Sequence, residues 1–352
     1  MDLYVLDSNF NTIGMIDATS SVIWSPKYTE LGDFEICVNA DTKMFELFKS
    51  GEYIQRWDDD MVGIIQSINL VTDTENGDNL IIKGVDLKDI LKRRVVWEQT
   101  NLSGTLFECV TKLVNDAIIS PSQLYRKIDN FAIKQVDLGI EDTIDMQVTG
   151  KNLFDTICKL CDMFACGFKV VLENKIITLI LYKGIDHSEA QSENQPVVFS
   201  PDFDNISNTN YIWDRSNFAT IALVAGEGEG KNRKKESVAI SNKYNGINRR
   251  EIFVDAKDLS TNDGEIVSWQ YTNMLMQRGR EKLTEYEIQE SFDGEVIEDL
   301  TYQYKTHYNL GDIVSVKNEY GIIANARITA IVEYDDENGH KVIPSFSNWE
   351  VV

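Results

Sequence analysis

Apolar and polar residues alternate along the first third of the chain with the two-residue period of half-buried strands. Phe34, Ile36 and Val38 alternate with Glu35 and Cys37, so residues 33–38 offer one face to a core. The same pattern predicts strands at 3–6, 12–16, 21–24, 53–57, 62–71 and 80–84. Turn signals separate them: the polar run 7–11, Asp58-Asp59-Asp60, and Glu75-Asn76-Gly77-Asp78, whose Asn-Gly pair suits a tight hairpin. Residues 42–49 break the alternation and predict one or two helical turns, with Met44, Phe45, Leu47 and Phe48 covering one end of the sheet. Short strands at this spacing predict a barrel or a sandwich.

The period changes near residue 97. Thr105 and Glu108 fit a capping box, and Leu106, Val110, Leu113, Val114 and Ala117 then recur at helical spacing. A second helix is expected at about 152–163, with Leu153, Ile157, Leu160, Cys161 and Phe164 inward. A hairpin follows, 168–172 with 175–182, turning at Glu173-Asn174. Residues 197–255 return to strands, and a third helix near 266–286 ends in Arg278, Arg280 and Lys282, cations that suit its C-terminal dipole. Gly51-Glu-Tyr-Ile54, Gly63-Ile-Ile65 and Glu75-Asn-Gly77 are echoed by Gly311-Asp-Ile-Val314, Gly321-Ile-Ile323 and Glu337-Asn-Gly339. Shared hairpin chemistry explains such an echo as well as a duplication does; a duplication would place two related small β-barrels, one near each end.

Composition narrows the function. With 34 Lys+Arg against 57 Asp+Glu, the net charge of −23 opposes gripping duplex DNA by its phosphates and docking on anionic lipid. It suits a conduit wall past which nucleic acid slides without sticking. The N-terminal residues have no basic, then apolar, signal-peptide pattern, and no apolar run is long enough to span a membrane. Five cysteines, an odd number, fit reduced thiols. Cys158-Lys-Leu-Cys161 with Cys166 lacks a second ligand pair for zinc and reads as buried small hydrophobes on a helix. Asp58-Asp59-Asp60 reads as a solvated turn, not a calcium loop. No catalytic residue, cofactor site or metal site is assigned.

One loop stands out as a contact element: Gly226, Glu227, Gly228, Glu229, Gly230, Lys231 and Asn232. Its acids would repel phosphate, so it reads as a flexible hairpin tip or interface loop that needs positive φ. Lys231, Arg233, Lys234 and Lys235 form the chain's basic cluster, fit for an acidic neighbouring surface. Trp57, Trp97, Trp213, Trp269 and Trp349 are spread out and expected in the core.

Several stretches in order resemble one family, the tail-tip hub proteins of siphophages and tail-derived bacteriocins, related to the N-terminal part of tail-associated lysins. They are Leu3-Tyr-Val-Leu-Asp7, Gly14-Met-Ile-Asp17, Ser21-Val-Ile-Trp24 and Tyr28 with Glu30, Gly32, Asp33, Phe34 and Glu35. Thr100-Asn-Leu-Ser-Gly104, Arg126-Lys-Ile128 with Asn130-Phe131, and Val224-Ala-Gly-Glu-Gly-Glu-Gly230 continue the series. Arg249-Arg-Glu251 with Phe253-Val-Asp255, Asp258-Leu-Ser260, Gln277-Arg-Gly279 and Glu281-Lys-Leu283 extend it into the last third. The family resembles the T-even phage baseplate-hub fold. That resemblance implies a β-rich α+β chain with two small antiparallel β-barrel domains and α+β domains inserted between them. The expected division is 1–96 first barrel, 97–185 α+β, 186–240 strands returning to the ring with the glycine-rich loop, 241–288 helical insertion, and 289–352 second barrel. It further implies a non-enzymatic homotrimer forming a pseudo-six-fold ring. Such a ring would join the six-fold tail tube and distal tail proteins to a three-fold spike or tip and close the tube. The chain would then belong to a virion or tail-like particle assembled in the bacterial cytoplasm, with no stable nucleic-acid binding and no membrane anchor. Peptidoglycan cleavage would come from another protein, the chain ending with its second barrel. The rivals are a cell-wall hydrolase and a glycan-binding tail-tip module.

Overall fold

The computed structural model describes residues 2–57, 59–72, 77–136, 138–261, 264–296, 301–321, 323–337 and 339–351; at 208, 291–296 and 347–351 it describes the backbone alone. Asp58, Glu75 and Asn76, expected in turns, lie outside the described residues.

The first unit is continuous in sequence. It comprises β1 (Leu3–Leu6), β2 (Thr12–Ile16), β3 (Ser21–Ser25), β4 (Asp33–Asn39), α1 (Thr42–Ser50), β5 (Tyr53–Arg56), β6 (Val62–Val71) and β7 (Asn79–Asp86). The strands lie in the order β3-β4-β7-β6-β5-β1-β2, every pair antiparallel. Alternation sends Phe34, Ile36 and Val38 into one core with Leu80, Ile82 and Ile54. Asp41 caps α1 by accepting from the Met44 amide at 2.7 Å, and the helix lays Phe48 on that core while Phe45 stays exposed.

An α+β region follows: α2 (Asp89–Lys92), β8 (Thr100–Gly104), α3 (Leu106–Val114), β9 (Phe131–Lys134), β10 (Ile144–Val148), α4 (Leu153–Met163), β11 (Gly167–Glu173) and β12 (Ile176–Tyr182). The expected capping box is present, with the Glu108 amide 3.3 Å from Thr105 Oγ1 and the Thr105 amide 2.8 Å from Glu108 Oε2. Asn152 caps α4. The β11–β12 turn falls one residue later than expected, on Asn174 and Lys175, both left-handed.

A second unit is assembled from separated segments: β13 (Asp186–His187), β14 (Val198–Phe199), β15 (Ile206–Asp214), and, after an insertion, β19 (Gln289–Val296), β20 (Ile313–Lys317), β21 (Ile323–Asp336) and β22 (Gly339–Val351). Its order is β15-β19-β22-β21-β20, with β13 and β14 on β20. The insertion holds β16 (Ile221–Ala225), β17 (Lys235–Ala239), β18 (Glu251–Asp255) and α5 (Ser268–Thr284). Its three strands form a separate sheet, and α5 buries Tyr271, Met274, Leu275 and Leu283 against it.

The arrangement β3-β4-β7-β6-β5 thus recurs as β15-β19-β22-β21-β20. Gly51 and Gly311 each stand two residues before the strand that opens the closing meander. Tyr53 pairs with Ile64, and Ile313 with Arg327. Counted from these pairs, the ladder breaks at the same place in both units, between Ile65 and Ser67 and between Ile328 and Ala330. Continuing across the sheet matches Phe34 with Phe292 and Trp24 with Tyr211. The glycine echo read from the sequence holds at Gly51 and Gly311 and at Gly77 and Gly339, which stand at matched places before β7 and at the start of β22, both with positive φ. Gly63 lies inside β6 and matches Ala326, whereas Gly321 sits in the turn before β21.

The β-rich α+β class stands, but no closed barrel forms among the described residues. The reason is β21. This fourteen-residue strand carries β20 along its first half and β3 along its last four residues, and so runs both units into one 14-stranded sheet with an open strand order.

Candidate functional site

The junction between the units is the most heavily built polar region. β21 meets β3 in antiparallel register, Glu333 opposite Trp24 and Asp336 opposite Ser21. Arg56, ending β5, forks onto Glu333 at 2.7 and 3.1 Å, both side chains buried. Lys305 reaches Asp59 at 2.8 Å and stands 3.8 Å from Glu333. Burial pushes the Asp59 carboxyl up, but Lys305 beside it prevails and holds it below the usual carboxylate value. Asp59 is therefore no solvated turn residue. It is a largely covered anion that ties the first unit to the second.

Tyr28 pins three regions together. Its ring fills the space where a Cβ on Gly167 or Gly311 would stand, and its hydroxyl lies 3.3 Å from the Ala165 carbonyl oxygen and 3.4 Å from that of Tyr182. Arg327 stacks 5.3 Å from the ring centroid and donates to the Gly311 carbonyl at 2.6 Å. Burial pushes the Tyr28 hydroxyl up to about 12. Nearby, the buried Lys88 ammonium donates to the carbonyls of Lys27 at 2.6 Å and Glu30 at 2.7 Å. Ion pairs this deep repay their desolvation only with such full partnering, so the junction fixes one orientation of the units.

The glycine-rich loop sits at the tip of the β16–β17 hairpin, as expected, but it is anchored. Glu227 accepts from the Thr261 amide and hydroxyl, both at 2.9 Å, and its own amide donates to the Tyr271 hydroxyl oxygen at 2.7 Å. Hydrogen bonds from Ser260 and Thr261 hold its carboxyl below the usual value. Gly228 and Gly230 take positive φ. Of the basic cluster, Arg233 turns inward to Asp255 and the Gly226 carbonyl, and Lys234 pairs with Glu236 at 2.8 Å. An open cleft of about 440 Å³ lies beside the loop, walled by Phe253, Arg233, Lys235 and Lys257.

Cys161 and Cys166 are buried, and burial pushes the Cys158 thiol up to about 12. Among the described residues no three His, Cys, Asp or Glu side chains gather as metal ligands, and no helix is long and apolar enough to cross a membrane. The tryptophans correct expectation: Trp57 and Trp269 are exposed, and Trp97 and Trp213 are about half exposed, lying under Arg126 and Arg215. Trp349 lies outside the described side chains. Trp57 follows β5, Trp97 lies in a loop, Trp213 stands near the end of β15 and Trp269 at the start of α5, and arginine takes up the faces of Trp97 and Trp213.

A family model described as Siphovirus ReqiPepy6 Gp37-like protein matches residues 2–347. The chain belongs to that family. The siphophage kinship read from the ordered motifs is thereby borne out. No curated protein sequence matches. The family fold is shared with three solved structures of low identity. A tail protein from Neisseria meningitidis is 15% identical over 98% of this chain and 96% of its own, with a TM-score of 0.59. The 43 kDa tail protein of prophage MuSo2 from Shewanella oneidensis is 12% identical over 98% of each chain, with a TM-score of 0.60. Prophage tail protein gp18 from Listeria monocytogenes is 15% identical over 99% and 94%, with a TM-score of 0.58.

Proposed function

We propose that this chain is a structural tail protein, a hub that trimerises into a pseudo-six-fold ring. The ring joins a six-fold tail tube and distal tail proteins to a three-fold tip, and closes the tube. The observation that carries this reading is the recurrence of one five-stranded arrangement within a chain, locked in a single orientation by Arg56, Glu333 and Tyr28. Three chains then present six equivalent units, which is what a three-fold to six-fold adaptor requires. Residues 1–96 form the first ring module. β13–β15 with residues 289–352 form the second, and each curls toward a barrel only in the assembled ring. Residues 97–185 and the β16–α5 insertion stand outside, where residues 226–232 contact a neighbouring subunit. The net charge of −23 supports a lumen that does not hold DNA.

Light scattering on a size-exclusion column, with negative-stain imaging of the peak, tests this. The expected particle has three times the 40.1 kDa chain mass and a central hole. A stable dimer with a closed cleft would overturn it. Exposed Trp57 and Trp269 favour a second reading, a glycan-binding tail module, which a glycan array with the isolated protein checks.

A further inference from the structure

The correspondence between the units says what should cover two bare strand edges. In the second unit, the distal half of β21 is covered by β3 of the first unit, Glu333 opposite Trp24, with Lys27 bridging Ala330. The matching strand of the first unit is β6, and the matching half of its edge, residues 66–71, has no strand partner among the described residues. The strand that matches β3 is β15, which pairs only with β19 among the described residues. Each bare edge is therefore the counterpart of one side of a seam already formed inside the chain.

We propose that the distal edge of β6 pairs antiparallel with the outer edge of β15 in a second copy, repeating the β21–β3 seam from chain to chain. Carrying the internal register across places Leu70 opposite Tyr211, Asn69 opposite Ile212 and Ile68 opposite Trp213. The exposure pattern fits. Leu70 is 50% and Trp213 49% exposed, and both fall on one face of the seam as diagonal neighbours, while Ile212, 47% exposed, falls on the other face beside Asn69. Residues 66–71 carry no charge and no proline, the usual guards of an edge strand, so this edge is built to be paired. β2 also leaves an edge open, but nothing in the second unit corresponds to it, and the register argument does not extend there. The contact is head-to-tail and closes into a ring when the rotation between successive units closes. It rests on the ring reading for the number of chains, not for which edges meet.

The test is a cysteine pair across the seam. Asn69→Cys with Ile212→Cys, oxidised and run without reductant, is expected to give a covalent species that stops at three chains. Neither single variant should do so, nor should Asn69→Cys with Asp214→Cys, two residues out of register. A particle that keeps its trimer mass yet does not cross-link overturns the seam and leaves the ring standing. Cross-links that run past three chains establish the seam and overturn the three-chain ring. A chain monomeric at every concentration, without cross-links, overturns both. Leu70→Glu is a second check, with loss of the trimer peak expected at an unchanged unfolding temperature. A trimer unaffected by it counts against the seam.

Discussion

The two five-stranded units share an arrangement and differ in construction. In the first, β3 passes to β4 through a short loop, and all seven strands come from one stretch of chain. In the second, the same passage from β15 to β19 encloses a whole sheet and helix, and β13 and β14 lie far from the strands they flank. Inside the sheets the difference continues. Phe34 lies over Gly63 and Gly84 in the first unit, where the second has Ala326 and Phe346. One backbone plan therefore tolerates two different fillings.

The sharpest way to break the comparison is at the junction. Arg56→Ala would leave Glu333 buried with only Lys305 nearby, and should cost about 3–5 kcal/mol in urea unfolding. Replacing the pair together, Arg56→Met with Glu333→Leu, should recover most of that loss. Next come reciprocal changes at matched positions. Gly63→Ala would push on the Phe34 ring and should destabilise by about 1–3 kcal/mol. Ala326→Gly, its counterpart, should lose roughly 0.5–1 kcal/mol through backbone freedom instead. Thermal unfolding of both variants checks whether the two fillings are truly different. In the insertion, Glu227→Gln weakens the bonds that anchor the loop and should cost about 1 kcal/mol, seen as faster amide exchange at Thr261.

The smallest effect concerns pH. The Asp59 carboxyl is held below its usual value when folded, so its contribution is present above the unfolded carboxylate value and fades as pH falls through the lower folded one. With Lys305→Met, only the Met61 amide and Arg56 remain to oppose burial, and the Asp59 carboxyl should rise from its lowered value. Acid destabilisation should then begin at a higher pH than in the parent chain, measured as the unfolding midpoint across an acid titration.

Local chemistry was readable before the fold was. The capping box at Thr105 and Glu108, the helix beginning near 152 and the alternation in β4 follow from neighbours a few residues apart, and each lies where the sequence puts it. The third helix is two residues shorter at each end than its pattern, because termini fray into turns. Non-local facts were not readable. That Asp59 is paired depends on Lys305, 246 residues away, and that Gly63 matches Ala326 depends on a register no local pattern encodes. The glycine loop was legible as a hairpin tip, but its anchoring by Thr261 and Tyr271 was not.

The buried arginine at the junction also sets a timetable. Arg56 leaves the ribosome 277 residues before Glu333, a delay on the order of 15–55 s at bacterial translation rates of about 5–20 residues per second. Until then its guanidinium must stay hydrated, and the outer edge of β3 has no cognate strand of its own chain. Nascent chains crowded on one messenger therefore pass through a window in which the first unit is complete and its seam is open to the wrong partner. Closing that window is the work of β21.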